Sequence, residues 1–186
     1  VIKRATISEF YLAVLKGELI VNIQGEKIDH LTLRNLVDQY NVVQVGPDRN
    51  FLIWLIEANL KKPKTYTLSD SWYVDRYSRA SDDCLDPVEL DDARKRYQAS
   101  ESLHFLVPIP ITAAVSGETI TTFGDLYLKK NELDATKEIY ARDCLVIEDE
   151  RHLKNAPGRN FGAFIANDKD LCSFLGEGDD ASHLKW

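Results

Sequence analysis

The residues of this chain best equipped for chemistry are the carboxylates between positions 82 and 92: Asp82, Asp83, Asp86, Glu89, Asp91 and Asp92. Magnesium and calcium take oxygen ligands, so Asp83, Asp86 and Glu89 are the set that would hold a divalent ion in a small metal-dependent hydrolase such as a nuclease or phosphoesterase. The run lacks the calcium-loop pattern, however, and local structure gives it another use. Asp86-Pro87-Val88-Glu89 reads as a helix start, with Asp86 as N-cap, Pro87 at the first helical position and Glu89 reaching back. The basic run Arg94-Lys95-Arg96 comes later in the same helix, which sets acids at its positive end and bases at its negative end. The expectation is a capped, solvated helix and no metal.

The remaining reactive side chains are scattered. His30, His104, His152 and His183 lack the i, i+4 spacing or the cysteine partner of a zinc site. His104 falls in an apolar strand pattern, where a structural histidine is expected and not a general base. Nothing beside Cys84, Cys144 or Cys172 lowers a thiol pKa, so they read as small hydrophobes. Gly158-Arg159-Asn160-Phe161-Gly162 matches neither phosphate-cradling glycine pattern. Tyr66, Trp72, Tyr73 and Tyr77, interleaved with Lys64, Arg76 and Arg79, could form a stacking surface for single-stranded nucleic acid, but an aromatic core or a protein interface is the expected use. The formal charge of -7 disfavours nucleic acid as a partner for this chain taken alone.

These groups must be positioned by elements that the pattern makes legible. Ile7 to Lys16 predicts a helix ended by Gly17, with Phe10 counted on its apolar face. Glu18 to Ile28 alternates around a Gln24-Gly25 turn, as a hairpin does. His30 to Tyr40 and Phe51 to Lys62 carry helical spacing, and Pro63 closes the second. Tyr66 to Arg79 reads as a strand or ordered loop. After about Ser100 the chain is rich in β-formers: Leu103 to Val115 and Thr119 to Leu128 flank a Ser116-Gly117 turn. Ile139 to Ile147 and Phe161 to Ala166 add two strands around a Pro157-Gly158 turn. Asp168 caps a helix from Lys169 to Leu175 that Gly176 stops. The fold class is therefore α+β, with a helix-rich part over residues 1–99 and a sheet-containing part over 100–186. No low-complexity linker prevents the two from packing as one unit.

Composition sets the frame for these elements. With 186 residues, 44% of them apolar and 28% charged, the chain is long enough for a sizeable core. No apolar run approaches the roughly 20 residues that cross a bilayer. Three cysteines without CxxC spacing suggest reduced thiols, and hence a cytoplasmic protein. The start at Val1 and the absence of methionine suggest a piece of a longer protein, or methionines replaced by a labelled residue.

The second half carries a resemblance. Phe105-Leu106-Val107-Pro108-Ile109-Pro110-Ile111, Asp125-Leu126-Tyr127-Leu128, Arg142-Asp143-Cys144-Leu145-Val146-Ile147, and then Asp168, Leu171, Phe174-Leu175-Gly176, Glu177, His183 and Trp186 together resemble a bacterial, MORC-like subset of proteins. Those proteins carry a histidine-kinase-like ATPase domain of the gyrase, heat-shock chaperone and MutL type, and the likeness is to the region after that domain. It covers residues 100–186, and extends less firmly to the helix and hairpin at 7–28. The motifs concerned are a strand pattern Arg-x-Gly-Met-x-Ile, met here by Arg142 and Ile147 with Cys144-Leu145 in place of Gly-Met, and a Leu-Gly-x-x-Glu…His-x-x-Trp tail, met by Gly176, Glu177, His183 and Trp186 at loosened spacing. The family's ATP-site hallmarks, a Glu…Asn helix motif and an Asp-x-Gly-x-Gly loop, are absent from the 186 residues.

The resemblance implies a transducer region with a ribosomal-protein-like βαβ fold, its ATP and magnesium held by an upstream ATPase domain of the same chain. In such a region one basic residue meets the ATP γ-phosphate, for which Lys3, Arg4 and Lys129 are the candidates. The function it implies is coupling of nucleotide state to a partner, to DNA metabolism or to defence. A protein-interaction module and the small hydrolase at 82–92 are the rival readings.

Overall fold

The computed structural model describes residues 2–40, 49–72, 83–132, 136–147 and 159–178. Five helices and eight strands in these residues make an α+β protein with a helical N-terminal portion. The chain divides between Lys62 and Pro63 into two units. The division falls well upstream of the boundary near Ala99 that composition suggested. Strand β3 (Thr65–Thr67) and helix α4 (Pro87–Gln98) lie before Ala99 in sequence, yet β3 pairs with β4 (Leu103–Thr112) and Tyr66 and Leu103 share a core with Leu85 and Ala93. Long-range strand pairing decides membership, and composition does not register it.

The first unit opens with α1 (Ile2–Lys16), longer than the pattern predicted and kinked where Phe10 leaves helical geometry (φ -115°, ψ 15°). The Thr6 and Ser8 hydroxyls donate to the Ile2 and Arg4 carbonyls, bonds of the kind that bend helices. The kink turns Phe10 outward, so it is exposed and does not join the apolar face, which Ile7, Tyr11, Leu12, Val14 and Leu15 form instead. The helix ends as expected: Gly17 (φ 79°) donates to the Val14 carbonyl at 3.0 Å and Glu18 to the Ala13 carbonyl at 2.9 Å, a Schellman pair.

The hairpin follows, with β1 (Val21–Ile23) antiparallel to β2 (Glu26–Ile28). Gln24 and Gly25 both take the positive φ that a two-residue turn of matching twist requires. Helix α2 (Leu33–Tyr40) starts three residues later than its pattern suggested. The delay is the work of Asp29, whose Oδ1 accepts from the Leu31 and Thr32 amides while Thr32 Oγ1 accepts from the Asp29 amide, a reciprocal cap. Helix α3 (Arg49–Lys61) buries Phe51, Leu52, Trp54, Leu55, Ile56 and Ala58 and stops before Pro63.

In the second unit six strands form one mixed sheet in the order β3-β4-β5-β8-β6-β7. Parallel β3 and β4, joined through α4, make a βαβ unit. Strand β4 then pairs antiparallel with β5 (Thr119–Lys130) over ten positions, from Leu103↔Leu128 to Thr112↔Thr119. Strand β8 (Asn160–Ala166) lies antiparallel to β5 and parallel to β6 (Lys137–Arg142). The pattern treated residues 139–147 as one strand. It is a hairpin: Asp143 takes φ 53°, and β7 (Leu145–Ile147) returns along β6. An aspartate tolerates the left-handed region, which lets a two-residue Asp143-Cys144 turn form without glycine. Helix α5 (Lys169–Glu177) runs through Gly176 instead of stopping there, and its cap falls on Gly178.

Candidate functional site

Two caps place the helices of the second unit. Asp86 Oδ1 accepts from the Val88 amide at 2.9 Å with Pro87 in the first turn, and Asp168 Oδ1 accepts from the Asp170 and Leu171 amides at 2.9 and 3.1 Å. Each cap satisfies amides that a helix start leaves open. Asp83, Asp86 and Glu89 are not brought within ligand distance of one another, and Asp86 is already engaged as a cap.

Behind that cap, Asp92 is the centre of a network. It accepts from the Tyr66 hydroxyl at 2.6 Å, from Lys64 Nζ at 2.9 Å and from Arg96 Nε at 3.3 Å, and Arg96 continues to Glu101 at 3.1 Å. The Tyr66 hydroxyl, then Lys64, hold the Asp92 carboxyl well below its ordinary range. Burial, then the Asp92 carboxylate, push the Tyr66 phenol up to about 12. Tyr66 has no exposed surface and packs on Phe105, ring centroids 5.6 Å apart, so this network ties α4 to the sheet beneath it.

On the opposite face of the sheet, three neighbouring strands align a hydroxyl, an imidazole and a carboxylate. Thr65 Oγ1 lies 2.9 Å from His104 Nδ1, and His104 Nε2 lies 2.8 Å from Asp125 Oδ1. A carboxylate only accepts, so Nε2 carries the hydrogen, while Nδ1 shares a hydrogen bond with the Thr65 hydroxyl. Asn167 Nδ2 donates to the other Asp125 oxygen at 2.8 Å. Tyr127 stacks on the imidazole at 4.5 Å and 14°, and its phenol is pushed up by burial and then by Asp125. The ring is thus held at both nitrogens and on one face. Thr65 and Asn167 carried no signal in the sequence and Asp125 entered only within the resembling run 125–128, because their meeting depends on a strand register that no local pattern encodes.

The third assembly joins the two motifs of the tail. Arg142, the last residue of β6, pairs with Ala166 of β8 and Leu145 of β7. Its guanidinium reaches the last turn of α5 and lies over Gly176, where an added Cβ would overlap Arg142 Nη1 and stand 3.4 Å from Cζ. The location suits a cation, since the C-terminal end of a helix is its negative pole. Ile147 is buried and Glu177 exposed. His183 and Trp186 lie outside the described residues, as do Asp82, His152, Tyr73, Tyr77, Arg76, Arg79 and the Pro157-Gly158 turn.

The three basic candidates are dispersed. Lys3 is paired with Glu26, whose carboxylate raises it above the ordinary lysine value, and Tyr40 also donates to Glu26 at 2.8 Å. Arg4 is exposed on α1. Lys129 is half-buried in β5, paired with Phe161. Trp72 donates from Nε1 to the Pro108 carbonyl at 2.7 Å, which engages one of the aromatic residues considered for nucleic-acid stacking with the sheet. No helix among the described residues is long and apolar enough to cross a membrane. No known protein family matches the chain, and neither a curated protein nor a solved structure is similar to it.

Proposed function

We propose that this chain is a non-catalytic coupling region of a larger cytoplasmic ATPase-like protein, whose upstream domain binds ATP and magnesium and whose partner lies in DNA metabolism or defence. The observation that supports this reading is the contact of Arg142 with Gly176. Two motifs 34 positions apart in sequence, known here only through a resemblance, meet in one place and lock β6, β8 and α5 together. A joint of that kind transmits displacement between a sheet and a helix, and it has no need of a reactive group. The hydrolase alternative at 82–92 gains nothing from the structure, where Asp86 caps α4 and Asp92 is tied to Tyr66, Lys64 and Arg96.

Two measurements test the proposal. Titration calorimetry of this chain with Mg-ATP is expected to show no heat of binding, and micromolar affinity would overturn the reading. In the full-length protein, Arg142→Ala is expected to change ATP turnover by about 5-fold or more, the lower end of ordinary coupling energies. Turnover unchanged in that variant would remove Arg142 from any coupling role.

A further inference from the structure

Strands β4 and β5 run past both of their neighbours. Strand β3 accompanies β4 only from His104 to Leu106, and β8 accompanies β5 only from Asp125 to Lys130. Residues 107–124 therefore form a two-stranded arm. In a chain with 28% charged residues, this arm holds one charged side chain, Glu118. Thr119, Ile120 and Thr121 are exposed, and Val115 at the tip is fully so.

The two edges of the arm differ. Leu68 donates to the Leu106 carbonyl and Trp72 to the Pro108 carbonyl, so even-numbered residues of β4 direct their backbone groups away from β5. Pro108 and Pro110 occupy that edge and have no N–H to offer, which blocks it to an incoming strand. On β5 the outward residues are the odd-numbered ones, as the Asn131 amide bonded to the Arg159 carbonyl shows at the far end. Thr119 and Thr121 thus present N–H and C=O groups on an edge that no described strand pairs with.

We propose that this edge pairs with the same edge of a second copy of the chain, antiparallel about Ile120. In that register Thr119 and Thr121 exchange backbone hydrogen bonds with Thr121 and Thr119 of the other copy. Ile120, 41% exposed, meets its own counterpart at a non-hydrogen-bonded pair, where side chains approach closest. The choice of a second copy rests on charge and closure. Two bodies of net charge -7 repel, and the arm, with its single charged side chain, is where they approach at least cost. Glu118 falls opposite Thr122 of the other copy, so no like charges face each other. An identical segment paired antiparallel is related by a two-fold axis, and the prolines on the other edge stop growth at two. The result is a four-stranded sheet, β4-β5-β5-β4, through the dimer.

Sedimentation equilibrium on the full chain tests this. The wild type is expected to dimerise at or below about 100 micromolar, and Thr121→Pro, which removes an N–H that the internal ladder does not use, is expected to weaken the dimer by about 100-fold or more. Ile120→Lys, at a position already exposed, should do the same by setting like charges face to face. Circular dichroism and Tm close to wild type in both variants would show that the fold is intact. Ile120→Cys should form a disulfide-linked dimer under mild oxidation, because paired Cα atoms at such a site stand about 4.5 Å apart. A wild type that stays monomeric overturns the proposal and leaves the edge to a strand of another protein. A dimer that both Thr121→Pro and Ile120→Lys leave unchanged also overturns it.

Discussion

Arg142 and Gly176 occupy the same space in the sense that matters for evolution and design: the guanidinium stands where a side chain at Gly176 would begin. Alanine suits a helix better than glycine by about 1 kcal/mol, so Gly176→Ala would ordinarily stabilise α5. Here the Arg142 guanidinium, the far end of a flexible side chain, must move aside, so the expected gain is smaller than about 1 kcal/mol. In an Arg142→Ala background the same substitution should recover the full gain of about 0.5–1 kcal/mol. A double-mutant cycle read by urea unfolding checks the difference.

Tyr66 and Tyr11 are both buried, yet their hydroxyls differ. Tyr66 donates to Asp92, whereas the Tyr11 hydroxyl has no hydrogen-bond partner among the described residues. Leaving a buried donor unpaired costs about 1–3 kcal/mol, so Tyr11→Phe should hold or raise stability while Tyr66→Phe lowers it by about 1–2 kcal/mol. Thermal unfolding of the two variants side by side distinguishes them.

The same network fixes a pH dependence. Asp92 is lowered from an ordinary 3.8, so between its folded value and 3.8 the unfolded chain binds the extra proton and stability rises with pH. Its contribution is complete above that range and is lost as pH falls through the folded value. Asp92→Asn should flatten the acid limb of a stability profile. At the other extreme, Tyr66 is raised to about 12 from 10.0, so its contribution is complete below pH 10 and fades as pH climbs toward 12. Ultraviolet titration should show Tyr66 ionising late together with Tyr11 and Tyr127, and an earlier ionisation of Tyr66 in Asp92→Asn would credit the carboxylate with the part of the shift that burial does not supply.

His104 bridges β3 and β5 through Thr65 and Asp125. Replacing it with alanine leaves the half-buried Asp125 with a lost donor, and the expected cost is about 1–3 kcal/mol. Hydrogen exchange should report that loss first in β3, the edge strand that the Thr65 bond holds. Protection in β3 unchanged by His104→Ala would mean that the backbone ladder alone secures it.

The helix caps give the simplest check. Asp86→Ala and Asp168→Ala should each cost about 1 kcal/mol by denaturant unfolding, since each removes an acceptor from open amides. Manganese titration against Asp86→Ala and the wild type should give the same null isotherm if the 82–92 carboxylates serve the helix alone.

The sequence by itself determined what depends on neighbours in the chain. Asp86-Pro87 and Asp168 announced helix starts, Gly17 a helix stop and Gln24-Gly25 a hairpin turn, because caps and turns are made by residues within a few positions of one another. Runs of β-formers around the Ser116-Gly117 turn located β4 and β5 in the same way. What only the tertiary structure decided are the relationships set by register. Thr65, His104 and Asp125 come into line because β3, β4 and β5 pair where they do, and a shift of one residue would send all three to the other face. Asp143 and Gly176 show the same limit from the other side. A non-glycine residue took the left-handed turn, where its amide donates to the Ala166 carbonyl, and a glycine continued a helix beside the Arg142 guanidinium. Helix propensities amount to about 1 kcal/mol or less even for glycine, a weak preference that tertiary context can override.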